Sequence, residues 1–166
     1  MASLVGKDFP EDVAFMHVPY VAEKAGVHEV CGMPVKYDAS KEFKNKKVVV
    51  VAVPGAFTPT CSEKHVPTFL EQKDALKAKG VDQVIVIAYN DAFVMSAWGK
   101  ANGVTDDFII FATDSEAKFS KSIGWTMGER TGRYAIIVDH GKVTYAQEAE
   151  KGGIAGSDAE SVLAKL

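Results

Sequence analysis

From Lys47 to Val53 the chain is almost unbroken in β-branched residues, with no polar position after Lys47. Such a run predicts a strand covered on both faces by other elements. Val84 to Tyr89 repeats the pattern, and Phe108 to Ala112 is a third, shorter apolar run. Between the first two, Val66, Phe69, Leu70 and Leu76 recur at helical spacing within Ser62 to Lys79, Gly80 is placed to end that helix, and Pro67 predicts a kink or an early break. Asn90 is the expected cap of a second helix that carries Phe93, Val94, Ala97 and Trp98 on one face and stops at Gly103. A short helix is expected around Ala117 to Ile123, followed by a turn-rich stretch to Gly132. Tyr134 to Asp139 and Lys142 to Gln147 flank His140 and Gly141, the spacing of a tight antiparallel hairpin. Ser157 and Glu160 form a capping-box pattern opening a final helix, in which Leu166 would cover the core.

Strand, helix, strand, helix, insertion, hairpin, helix is a layered α/β order, the arrangement of the thioredoxin fold with an added amino-terminal segment of about two strands. No repeat, linker or low-complexity segment interrupts it, and 166 residues with 47% hydrophobic content predict a single domain over 1–166. A formal charge of −3 provides no basic patch for nucleic acid and no polybasic anchor for anionic lipid. The amino terminus has acids early and no apolar run long enough for a signal peptide or a membrane span, so an intracellular, cytoplasmic setting is expected. Cys31 and Cys61 do not make a disulfide framework, and without a CxxC pair or clustered histidines a metal site is not expected.

The chemistry centres on Cys61, which closes the stretch PGAFTPTC beginning at Pro54, between the first apolar strand and the helix after it. The thiolate is the nucleophilic form of cysteine, and the unpaired N–H groups of a helix's first turn stabilise an anion placed there. Ser62, Glu63 and Lys64 follow Cys61, so the dithiol of a disulfide-shuttling oxidoreductase is missing. Each candidate also has a purely structural reading. A lone cysteine often behaves as a small buried hydrophobe, Thr58 can cap a helix, and Arg133 can be a surface ion-pair partner. Arg130 competes with Arg133. His65, one helical turn after Cys61, is a candidate general base or a locally hydrogen-bonded ring, and Phe93, Met95 and Trp98 are core residues or lining for a pocket or subunit contact.

Pro54, Thr58 and Cys61 match the PxxxTxxC motif of peroxiredoxins, and PGAFTPTC resembles the type-five branch of that family. VDQVIVIAYNDAFVMSAWGKANGV and GRYAIIVDHGKVTYA are similar to its fungal members, which include peroxisomal ones. The resemblance implies a thioredoxin fold with a peroxiredoxin-type amino-terminal extension and insertion. It also implies a thiol peroxidase acting on hydrogen peroxide and small organic hydroperoxides. Cys61 is then the peroxidatic nucleophile. Thr58 holds the peroxide, Pro54 shields the sulfur from water, and Arg133, directly before the strand from Tyr134, stabilises thiolate and oxyanion. Peroxide would leave a sulfenic acid on Cys61, and Cys31, the only other thiol, becomes the candidate resolving cysteine. No metal, haem or flavin is implied; thioredoxin, glutaredoxin or glutathione would return the thiol, and a homodimer is the family's common state. Ala164-Lys165-Leu166 differs from the Ser-Lys-Leu peroxisomal address only at its first position. Two other classes remain open: a redox sensor that relays oxidation to partners through mixed disulfides, and a glutathione-dependent transferase.

Overall fold

The computed structural model describes residues 3–24, 27 and 31–166. In chain order the elements are β1 (Ala14–His17), β2 (Val35–Asp38), α1 (Ala39–Glu42), β3 (Lys47–Ala52), a π-helical turn (Cys61–His65), α2 (Val66–Glu71), α3 (Lys73–Ala78), β4 (Gln83–Ala88) and α4 (Ala92–Ala101). They continue with β5 (Ile109–Thr113), α5 (Lys118–Ile123), β6 (Thr126–Met127), β7 (Arg130–Thr131), β8 (Tyr134–Asp139), β9 (Lys142–Glu148) and α6 (Ala159–Leu163). Seven strands form one sheet in the order β2-β1-β5-β4-β3-β8-β9. β3, β4 and β5 are parallel, whereas β8 joins β3, and β1 joins β5, antiparallel. The expected amino-terminal pair of strands is β1 and β2, which extends the sheet beyond β5.

Strand periodicity divides the core. Val49, Val51, Val84, Val86 and Phe111 face a layer that includes Phe69 of α2, Leu76 of α3, Met95 and Trp98 of α4 and Val162 of α6. Their neighbours Val48, Val50, Ile85, Ile87 and Ile110 face the opposite layer, with Phe9, Phe15, Phe43 and Phe119. Burial on both sides is why the central strands read as continuous apolar runs. The β8–β9 hairpin turns through His140 (φ 46°) and Gly141 (φ 85°), the left-handed pair that a two-residue turn requires. Leu166 packs against the helical layer, as the terminal pattern suggested.

Three local expectations are corrected. The helix after Cys61 does not break at Pro67. Its irregularity precedes the proline as the π turn, in which the Val66 N–H reaches the Cys61 carbonyl, and a break follows at Gln72. A proline without an N–H cannot close the α-helical bond to Glu63, so the wider turn falls where that bond is unavailable. The cap of α4 is Asp91, whose carboxylate accepts from the Val94 N–H at 2.9 Å, because the Asn90 side chain is engaged elsewhere. The inward stripe of α4 is accordingly Ala92, Met95, Trp98 and Gly99, whereas Phe93 is 48% exposed. The cap of α6 is likewise Asp158, accepting from Ser161 N–H at 3.0 Å, and not Ser157.

The corrected face of α4 has a direct thermodynamic consequence. Met95→Ala is expected to lower unfolding free energy by about 2–5 kcal/mol, the usual cost of emptying a fully buried site, and Phe93→Ala by less than about 0.5 kcal/mol. Urea denaturation of both variants checks this; equal losses would contradict the stated helix phase.

Candidate active site

The site lies beyond the carboxyl end of β3, which pairs in parallel with β4. The chain exits β3 into Pro54 to Cys61. Three contacts hold this loop. The Ala56 N–H donates to Asn90 Oδ1 at 2.8 Å, the Thr58 hydroxyl donates to the Gly55 carbonyl at 2.7 Å, and Thr131 Oγ1 donates to the Val53 carbonyl at 2.6 Å. Helical turns begin at Pro59, with the Ser62 N–H bonded to the Thr58 carbonyl at 2.9 Å, so Cys61 occupies the first turn. Trp98 Nε1 donates to Ser62 Oγ at 3.2 Å and ties this turn to α4.

Cys61 is 1% exposed, yet its sulfur has a polar partner: Arg133 Nη2 donates to Sγ at 3.4 Å. The other side of the same guanidinium, Nη1, lies 3.0 Å from His65 Nδ1. Guanidinium nitrogens only donate, so Nδ1 accepts and carries no proton. His65 Nε2 lies 2.8 Å from the Ser157 carbonyl, which only accepts, so the ring proton is on Nε2. Ser157 Oγ, 3.1 Å from Nε2, gives its own hydrogen to the Ile154 carbonyl at 2.9 Å and can accept a share of that proton. Burial lowers the His65 pKa to about 4, with the Arg133 charge pushing the same way against the Ser157 bond and Asp158. The imidazole is therefore neutral near pH 7. A neutral ring that accepts from Arg133 is no base for the sulfur, and in place of the general base or the local hydrogen bond expected, the ring bonds two residues distant in sequence, Arg133 and Ser157.

Pro54, Thr58, Cys61 and Arg133 line one cleft together with Arg130 and Lys151. Arg133 directly precedes β8, and Gly132 before it is indispensable, since a Cβ there would fall 2.7 Å from the Trp125 carbonyl oxygen. Arg130 is positioned differently, its guanidinium carbon 5.4 Å from the centre of the Tyr89 ring. The Thr58 hydroxyl gives its hydrogen to Gly55 and not to the sulfur, which leaves its oxygen as an acceptor facing the cleft. Cys31 is exposed and free in the segment leading into β2. Met95 and Trp98 belong to the core, and Phe93 does not line the cleft. Sequence reasoning missed the roles of Asn90 and of the His65–Arg133 contact; the first signal was a polar residue directly after a buried strand, the second a histidine four positions beyond the cysteine. Among the described residues no group of three or more His, Cys, Asp or Glu side chains is arranged to hold a metal ion, and no helix is long and apolar enough to cross a membrane.

Comparison with known proteins agrees with this geometry. The redoxin family profile matches residues 4–163. Peroxiredoxin Pen c 3 of Penicillium citrinum is 56% identical over the whole of both chains. A Lipomyces kononenkoae protein, provisionally named a peroxisomal peroxiredoxin, is 52% identical over 95% of this chain and 98% of its own. The crystal structure of reduced Prx3 from Vibrio vulnificus, solved in complex with hydrogen peroxide, superposes with a TM-score of 0.83 at 36% identity, covering 99% of this chain and 98% of the other. With the thioredoxin-type sheet, the buried Cys61 and the arginine on its sulfur already in place, these full-length similarities place the chain in the redoxin family as a peroxiredoxin, a thiol peroxidase.

Proposed function

We propose that the chain, acting as a single domain over 1–166, reduces hydrogen peroxide and small organic hydroperoxides at Cys61. The observation that carries this reading is the donation from Arg133 to a sulfur that is almost fully buried. Removing a thiolate from water costs several kcal/mol, and a guanidinium on one side with helix-terminal N–H groups on the other offsets that cost. The same guanidinium stabilises the charge that passes to the leaving oxygen, where prearranged donors have their largest effect.

The sulfur attacks the nearer peroxide oxygen; an S–O bond forms as the O–O bond breaks, and the leaving alkoxide or hydroxide takes a proton. Sulfur is oxidised by two electrons and the peroxide reduced by two. Thr58 Oγ accepts from the peroxide O–H, since its own hydrogen is committed to Gly55. Pro54, buried at the head of the loop and without an N–H, excludes a water-binding donor beside the sulfur. The sulfenic acid then condenses with a thiol, releasing water and leaving a disulfide.

Cys31 is the proposed resolving thiol, acting between two chains. Cys31 leads into β2, at the edge of the sheet, whereas Cys61 follows β3, four strands further in, and a disulfide needs its Cα atoms within about 7 Å. Exposed Phe57, Phe93 and Met127 supply apolar surface for a second copy. Thioredoxin, glutaredoxin or glutathione is proposed to return the disulfide to thiols, and no prosthetic group takes part in these steps. Ala164-Lys165-Leu166 is proposed as a peroxisomal address, in keeping with the Lipomyces relative's name. Leu166 packs on the core, so a receptor must first draw it out.

Cys61→Ser is expected to abolish peroxide consumption, whereas Cys31→Ser keeps the first oxidation, loses the disulfide-linked dimer on a non-reducing gel and stalls with thioredoxin. Normal turnover by Cys61→Ser would refute the assignment of the nucleophile. Dimer formation by Cys31→Ser would dismiss Cys31. For the address, deleting Leu166 should release an amino-terminally tagged fluorescent fusion from peroxisomes into the cytosol; unchanged puncta would refute it.

A further inference from the structure

We infer that His65 is a positioning residue for the peroxidase reaction: as the neutral tautomer protonated on Nε2, it orients Arg133 toward Cys61, and the Ser157 carbonyl at the entrance to α6 selects that tautomer. The inference rests on the reading of Cys61 as the sulfur that meets peroxide.

An arginine has five N–H donors on a long, flexible stem, and a single 3.4 Å contact to sulfur does not fix the plane of its guanidinium. The second contact does. His65 Nδ1 takes Nη1 at 3.0 Å while Nη2 meets the sulfur, so the two groups between them set both the position and the tilt of the fork. A charged acceptor such as a carboxylate would also hold Arg133 but would neutralise the charge that the sulfur and the leaving oxygen need. A bare imidazole nitrogen orients without neutralising.

The ring can serve only if its proton stays on the far nitrogen. Nε2 is held there by Ser157, which is 0% exposed, through the carbonyl at 2.8 Å and the hydroxyl at 3.1 Å. Were the proton on Nδ1, the ring would present a hydrogen to a guanidinium hydrogen and leave the Ser157 carbonyl facing a lone pair. The ring's place along the chain is fixed too. The Thr68 hydroxyl donates to the His65 carbonyl at 2.7 Å and accepts from the Ala159 N–H at 3.1 Å, which links α2 to the first residue of α6. The π turn carries Cys61 and His65 together, at its two ends. The final helix thus reaches the reacting sulfur through three hydrogen bonds in series: Ser157 to His65, His65 to Arg133, Arg133 to Cys61.

Two amides separate the ring's functions. Asn places its carbonyl oxygen near where Nδ1 sits and can accept from Arg133; Gln reaches toward the Nε2 position and Ser157. The rate of sulfenate formation with hydrogen peroxide, followed by stopped-flow tryptophan fluorescence, is expected to fall by between about 10-fold and 100-fold in His65→Gln and His65→Leu, short of the ~10²–10³ for losing an oxyanion donor outright, and by no more than about fivefold in His65→Asn. Equal losses in all three variants, a better result for Gln than for Asn, or wild-type rates throughout would overturn the inference. Variants that fail to fold leave a second measurement on the wild-type protein. Two-bond ¹H–¹⁵N spectra of the His65 ring should show a bare Nδ1 and a protonated Nε2 from about pH 8 to pH 5, and a proton on Nδ1 in that range would overturn it. The tautomer is read without peroxide, so failure of the peroxidase reading, seen as turnover by Cys61→Ser, is a separate result.

Discussion

A guanidinium shared between a buried sulfur and an uncharged imidazole nitrogen is the constraint on which the rest of the site depends. Cys61 is almost fully buried at the cleft, and a sulfur anion in that position is tolerable only with donors already in place. Arg133 supplies the charge, and the first helical turn supplies backbone dipoles. Much of the local sequence serves this one contact. Gly132 lets the chain pass the Trp125 carbonyl just before Arg133, Thr131 fastens that segment to the end of β3, and Asn90 fastens the Cys61 loop to the end of β4. The central strands contribute by being rigid, with β3 paired to β4 on one side and β8 on the other. Nucleophile and arginine therefore leave adjacent strands at the same end of the sheet.

Order at the site is set against the proposed release of Cys61 to a second thiol. The helix that carries it opens as a π turn and is interrupted again at Gln72, so its first stretch is short of regular α-helical bonds. Such a segment opens at lower cost than an uninterrupted helix. What holds it closed is largely side-chain bonding, from Trp98 to Ser62, from Arg133 to Cys61 and from Thr68 to the His65 carbonyl. Arg133 bonds the sulfur itself, so on the proposed chemistry a change at Cys61 falls on one of the bonds that hold its helix.

The sheet was legible in the sequence because its central strands are buried on both faces, and no amphipathic pattern competes with a run such as Val48 to Val53, β-branched at every position but one. Helix phases were harder to read. Asn90 and Asp91 can both cap, as can Ser157 and Asp158, and the choice was made by tertiary partners: the Ala56 N–H claims Asn90, and His65 with Ile154 claims Ser157. Spacing put Phe93 on one face with Val94, Ala97 and Trp98, but the face that α4 buries runs through Ala92, Met95, Trp98 and Gly99 and leaves Phe93 outward. At the site, Pro54, Thr58 and Cys61 were readable from one contiguous motif, and Arg133 from its place before β8. The bond from His65 to Arg133 spans 68 positions and that from His65 to Ser157 spans 92, so the place of His65 after Cys61 marked the residue while local pattern named neither partner. Arg130 and Arg133 differ in the sequence only by three positions, while in the fold one stacks on Tyr89 and the other meets the sulfur.

That last difference gives the most direct measurement. Sulfenate formation at Cys61 with hydrogen peroxide should slow by about 10²–10³ in Arg133→Met, the scale of losing one prearranged donor, and by far less in Arg130→Met. Comparable rates in the two variants, or a larger loss from Arg130→Met, would contradict the assignment of Arg133 as the group that makes the buried sulfur reactive.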